Sequence, residues 1–75
     1  MRYYDDTISK VKRTWKNSCG DICEQFIFIT KITKQFLYGN SWNGRWKCDR
    51  KTNAWYRYDN YMWKRQGGDF QEVGE

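Results

Sequence analysis

The sequence predicts a mainly β protein: a small, strongly bent antiparallel sheet or small barrel of four or five strands, preceded by a short N-terminal helix. Three observations predict it. Five Trp, six Tyr and four Phe make up 20% of the chain, while Ala and Leu occur once each. Aromatic side chains bury much apolar area apiece and are enriched in strands, so this bias favours a β-rich fold over a helical bundle. Phe26 to Thr33 is an unbroken run of aromatic and β-branched residues, with one lysine, that leaves little room for a helix. Asn43-Gly44 lies between two strand-forming runs, a strong hairpin signal because both central positions of a type I′ turn take positive φ.

Residues 4 to 16 are read first. Tyr4, Ile8, Val11 and Trp15 recur at spacings of four, three and four, along one helical stripe. Asp5-Asp6 and the cations Lys12, Arg13 and Lys16 sit at the ends where the helix dipole favours their charges. The β-branched Thr7, Ile8, Val11 and Thr14 argue the other way, yet as a strand neither face is cleanly apolar, so the expectation is a helix. Asn17 to Asp21 follows as a turn. Ile22 to Gln25 leads into the strand at Phe26, and a tight turn at Lys34-Gln35 places Ile32 opposite Leu37, Thr30 opposite Gly39 and Phe28 opposite Ser41.

A two-residue loop at Asn43-Gly44 sets the register of the central hairpin. Trp42 then faces Arg45, Ser41 faces Trp46, Gly39 faces Cys48 and Leu37 faces Arg50. Opposed residues share a face, so the hairpin sorts into two chemically different sides. Leu37, Gly39, Ser41, Trp46 and Cys48 form a core side, which the preceding strand extends with Phe26, Phe28 and Ile32. Phe36, Tyr38, Asn40, Trp42, Arg45 and Lys47 form the other, aromatics interleaved with positive charge and diluted by Ile27 and Ile29. Asp49 to Asn53 is a second turn in which Asn53 suits the left-handed conformation. Ala54 to Tyr58 is a further strand, with Trp55 inward beside Cys48 and Tyr56 near Lys47. A turn at Asp59-Asn60 precedes a last strand, Tyr61 to Arg65. Residues 1–66 thus make one domain, and residues 67–75, with three glycines, three acids and only Phe70 and Val73 apolar, read as a flexible acidic tail.

The stretch Gly20-Asp21-Ile22 through Phe28-Ile29-Thr30-Lys31-Ile32-Thr33 to Leu37-Tyr38-Gly39 resembles the opening strands of SH3-like barrels, where a Gly-Asp turn precedes two long pairing strands. The resemblance spans about a quarter of the chain and implies a binding module, since that fold hosts many unrelated binding functions.

Charge and composition narrow the function. Residues 1–66 carry fourteen positive and six negative charges, a net of +8, which suits a polyanionic partner, nucleic acid or an acidic protein surface. No apolar run approaches a membrane span of ~20 residues or a signal peptide, and three cysteines fit reduced thiols in the cytoplasm. Cys19, Cys23 and Cys48 are weak metal candidates: the close pair has three intervening residues, no second pair exists, and the chain has no His. Without His the commonest general base is missing, Asp5-Asp6 are explained as helix-start residues, and Gly67-Gly68 lacks the Lys and Ser or Thr of a phosphate loop. The expectation is therefore a non-enzymatic protein with no cofactor.

What remains is the aromatic-basic interleaving. Bases stack on aromatic rings while Lys or Arg beside them neutralises phosphates, so an exposed sheet face with both is a platform for single-stranded nucleic acid. The candidates are Tyr38, Trp42, Arg45, Lys47 and Tyr56, with Arg50, Lys51 and Arg57 as phosphate contacts. Trp15, Trp46, Trp55 and Trp63 are assigned to the core, which a domain this small needs. The same surface residues are hot-spot types for a protein partner. In style the short, Trp-rich chain resembles small bacteriophage-encoded accessory proteins, some of which block a host enzyme or defence complex, and this implies the alternative function of a host-enzyme inhibitor.

Overall fold

Alternating inward and outward side chains run through seven antiparallel strands of one curled sheet, a half-barrel; the computed structural model describes Tyr4 and residues 6–73. The strands are β1 (Lys10–Lys16), β2 (Ile22–Ile32), β3 (Phe36–Ser41), β4 (Gly44–Asp49), β5 (Ala54–Asp59), β6 (Met62–Gln66) and β7 (Asp69–Glu72). They lie in the order β6-β5-β4-β3-β2-β1-β7. The mainly β class is as the sequence predicts, but the count of four or five is too low and no described residue is helical.

The expected N-terminal helix is strand β1. Its stripe was a real burial signal, since Tyr4, Ile8 and Val11 are all buried. Its geometry is not helical: Tyr4 and Ile8 lie before the strand, and Val11, Arg13 and Trp15 alternate along it opposite Ile27, Gln25 and Cys23 of β2. Pairing with β2 on one side and β7 on the other gives β1 its backbone partners and favours its β-branched residues. Asp5 of the acidic pair lies outside the described residues.

Residues 69–72, assigned from sequence to the tail, form β7, and Phe70 packs on the core. Only Gly67 and Gly68 separate β6 from β7, yet these strands occupy opposite edges of the sheet. Three Cα steps span at most ~11 Å, so the sheet must curl until its edges approach at this corner. Arg13 on β1 donates from Nε to the Gly67 carbonyl oxygen at 2.8 Å and holds the corner in place.

The β2–β3 pairing begins at Ile32 opposite Leu37, as expected, and then slips at a β-bulge between Ile29 and Lys31. Beyond it Ile29 faces Gly39 and Phe28 faces Asn40. One extra residue inverts every side chain that lies past it. Ile27 is therefore fully buried and Ile29 packs against the core, while Phe26 and Phe28 point outward, the reverse of the sequence expectation. Gly39 is needed at this crossing: a Cβ there would lie 2.6 Å from the Phe28 carbonyl oxygen.

The central hairpin also turns one residue earlier than Asn43-Gly44 implies. Ser41 pairs with Gly44, and Trp42 and Asn43 occupy the turn. Only Gly44 among the three takes positive φ, at 119°, which is the glycine-bulge form of a hairpin loop. Asn43 is held there through its side chain, whose Oδ1 accepts from Gln25 Nε2 at 3.1 Å and from Trp46 Nε1 at 2.9 Å. The pairing moves by two residues, so Leu37 faces Cys48 rather than Arg50. An even shift preserves the faces: Leu37, Trp46 and Cys48 are fully buried as expected. Trp55 opposite Cys48 and Tyr56 opposite Lys47 also agree with the sequence reading, as does the left-handed Asn53.

On the inner side Val11, Ile27, Leu37, Trp46, Cys48 and Trp55 form the core, and Phe70 stacks on Trp55 with centroids 4.8 Å apart. Asn53 Oδ1 gathers the Tyr4 hydroxyl at 2.7 Å and Trp55 Nε1 at 3.1 Å, so two polar tips are satisfied within an aromatic core.

Candidate functional site

The outer face of the sheet follows from the same alternation. Phe36 and Tyr38 on β3, Arg45 and Lys47 on β4, Tyr56 and Tyr58 on β5, and Trp63 and Arg65 on β6 share it by register. Lys47 is at its centre. Its Nζ lies 4.6 Å from the ring centroid of Trp63, 5.1 Å from Phe36 and 5.7 Å from Tyr56. An ammonium over ring faces is held by the ring quadrupoles, and no carboxylate among the described residues pairs with it. Tyr38 adjoins Phe36 at 6.0 Å and lies under Lys31 Nζ, also at 6.0 Å. Tyr58 meets Trp63 edge-on at 5.2 Å.

A half-open groove of about 360 Å³ runs beside this cluster, lined by Thr30, Tyr38, Asn40, Arg45 and Trp63 among others. The aromatic field continues onto β2, where Phe26 and Phe28 are exposed and Lys10 Nζ lies 5.0 Å over the Phe26 ring. The bulge that removed Phe26 and Phe28 from the core thus enlarges the outer aromatic surface.

Four of the candidates named from sequence, Tyr38, Arg45, Lys47 and Tyr56, come together here. Trp42 is 77% exposed at the hairpin tip, beside the face rather than on it. Lys51 is exposed in the turn after β4, at the opposite end of the sheet. Arg50 is not a surface phosphate contact. It is 2% exposed, and its guanidinium donates to the carbonyl oxygens of Thr33 at 2.7 Å and Tyr4 at 2.8 Å and to Asp6 Oδ1 at 2.7 Å. Arg57 pairs with Trp46 in the ladder and lies on the inner side, so it does not share a face with Lys47.

The chain matches no family model, no curated protein and no solved structure. The residues alone carry the functional argument.

Sequence reasoning places Phe36 on this face without naming it a contact, and it misses Trp63, Phe26, Phe28, Tyr58 and Arg65. Trp63 was assigned to the core by composition, although the alternation of Tyr61, Trp63 and Arg65 against Met62 and Lys64 already put it with Arg65. The two phenylalanines of β2 could not be found, because a bulge leaves no mark in the pattern of this strand.

The three cysteines are free thiols: Cys19 is exposed, Cys23 half-buried and Cys48 buried. Among the described residues no group of three His, Cys, Asp or Glu could hold a metal ion. Burial pushes the Cys48 thiol up to about 12, with the Asp49 charge adding to it, and burial likewise raises the Tyr4 phenol to about 12. Both are core groups kept neutral. Among the described residues no helix is long and apolar enough to cross a membrane.

Proposed function

We propose that this protein is a non-enzymatic module that binds single-stranded nucleic acid across the outer face of β3 to β6. The observation that carries the reading is Lys47, held within 5.7 Å of three ring centroids on an open sheet face. Rings that already accept a cation on their faces offer flat π surfaces to bases, each stack contributing ~1–3 kcal/mol. Lys47, with Arg45 and Arg65 at the margins, supplies charge for the phosphates between stacked bases.

Fluorescence anisotropy with labelled single-stranded and double-stranded oligonucleotides tests this. Three phosphate contacts predict a log–log salt slope of about −2 for a single strand, or roughly twentyfold weaker binding between about 50 and about 200 mM salt. Single-stranded probes should bind more tightly than duplexes. Absence of binding to any DNA or RNA at low salt would refute the reading.

A second reading rests on different residues. Trp42, Tyr61 and Met62 are 77%, 91% and 56% exposed on the β3–β4 and β5–β6 hairpin tips, and Tyr61 holds a left-handed φ of 65°. Large exposed apolar side chains on adjacent turns suit a protein partner, as in an inhibitor of a host nucleic-acid-handling enzyme or defence complex. That reading requires Trp42→Ala to abolish inhibition of such an enzyme while Lys47 and Trp63 variants retain it.

A further inference from the structure

The inner side of the sheet carries a second charged arrangement that the aromatic face does not use. Arg13 on β1 and Arg57 on β5 are separated by three strands, yet the curl brings both beside Trp46. Arg57 is its ladder partner, and the Arg13 guanidinium carbon lies 5.5 Å from its ring. A part-buried hydrogen-bond network centred on Gln25 joins them. Arg13 Nη1 donates to Gln25 Oε1 at 2.9 Å; Gln25 Nε2 donates to Ser41 Oγ at 2.9 Å and to Asn43 Oδ1 at 3.1 Å; and the Asn43 carbonyl oxygen accepts from Arg57 Nη1 at 3.4 Å. Gln25 is 3% exposed and uses every polar atom of its side chain, so the spacing of the two arginines is set by a rigid element.

The charges there do not balance. Arg13 stacks on Trp15 at 4.3 Å and donates to two neutral oxygens, and no carboxylate among the described residues pairs with it. Arg57 reaches Asp59 at 3.7 Å, but Lys64 shares that carboxylate at 3.5 Å. Two cations thus share one acid, and Arg13 adds a third positive charge with no carboxylate of its own among the described residues. Burial and the neighbouring Arg57 charge both lower the Arg13 pKa, the signature of a guanidinium lacking a counter-charge.

We propose that Arg13 and Arg57 form an anion site for a phosphate group on the inner side of the sheet. Guanidinium forks match phosphate oxygens, and a dianion would offset both arginines at once. The phosphate belongs either to the backbone of a nucleic acid that passes from the outer face around the sheet, or to a free or small-molecule phosphate. This site stands on its own residues, so it can hold even if the outer face binds no nucleic acid.

The test is side-chain NMR of the full chain, following Arg Nε–H signals and the Trp46 indole. The probes are inorganic phosphate, balanced with sodium chloride at constant ionic strength, and separately an unlabelled single-stranded oligonucleotide. Saturable shifts at Arg13, Arg57 and Trp46 are expected with at least one probe. Arg57→Gln should weaken that binding about tenfold or more, as loss of a charge-assisted hydrogen bond does. Arg57→Lys, which keeps the charge, should weaken it less. Displacement of phosphate by the oligonucleotide assigns the site to backbone phosphate, and undisturbed phosphate binding assigns it to a small anion. Shifts that stay linear with both probes, or an affinity unchanged in Arg57→Gln, would overturn the proposal.

Discussion

Replacing Lys47 by Met tests the outer face most directly, because it removes the charge and leaves a side chain that still fills the space between rings. In the folded protein Lys47 Nζ interacts with Trp63, Phe36 and Tyr56 at 4.6, 5.1 and 5.7 Å. A half-exposed cation–π contact contributes ~0.5–1 kcal/mol, and Met recovers part of it through sulfur–aromatic contact. The melting temperature should therefore fall by only about 2–8 °C, measured by differential scanning fluorimetry. The effect on binding is separable. If the ammonium leaves the rings to meet a phosphate, the log–log salt slope for a single strand should shrink by about 0.7. Anisotropy titrations of wild type and variant across a potassium chloride series measure it. An unchanged slope with unchanged affinity would mean that Lys47 stays on its rings and takes no part in binding.

Arg50→Met should cost about 2–3 kcal/mol, because the carbonyls of Thr33 and Tyr4 lose their donor, and it should lower the melting temperature by roughly 10–20 °C. Nucleic-acid affinity, corrected for unfolded protein, should be unaffected; a selective loss of binding would return Arg50 to the interface. Gly39→Ala places a Cβ 2.6 Å from the Phe28 carbonyl oxygen and should destabilise by about 1–3 kcal/mol in urea unfolding, and a neutral result would refute the bulge geometry. Cys48 and Tyr4 have raised pKa values in the fold, so their contribution is full below the ordinary thiol value of 9.0 and is lost as pH rises towards about 12. The melting temperature should fall through that alkaline range, and less steeply in Cys48→Ala; a parallel decline in both proteins would show that Cys48 does not titrate with unfolding.

Much of the sheet was legible in the chain. The strands from β2 to β6, the turns between them, the inward set Leu37, Trp46, Cys48 and Trp55, and the grouping of Tyr38, Arg45, Lys47 and Tyr56 all follow from period-two alternation and turn residues. These signals survive small errors of register. The central hairpin shows why: it turns one residue early, the pairing moves by two, and every side chain keeps its face.

Odd shifts and long-range partners are another matter. The bulge near Thr30 inserts one residue, so Phe26 and Phe28 exchange places with Ile27 and Ile29, and only the close approach of Gly39 to β2 registers it. Residues 10–16 have a strand's neighbours rather than a helix's because β2 and β7 pair with them from both sides, and β7 comes from the far end of the chain. Arg50 and Arg57 looked like surface cations beside Lys51 and Tyr56. The curl and the turn instead aim Arg50 at Tyr4, Thr33 and Asp6, and the pleat turns Arg57 inward towards Trp46. Period-two alternation, readable along the chain, establishes which residues share a side and hence that an aromatic-basic face exists. How far that face extends and which arginines lie on it are set by the folded chain, because both depend on a bulge and on contacts between residues up to 63 positions apart.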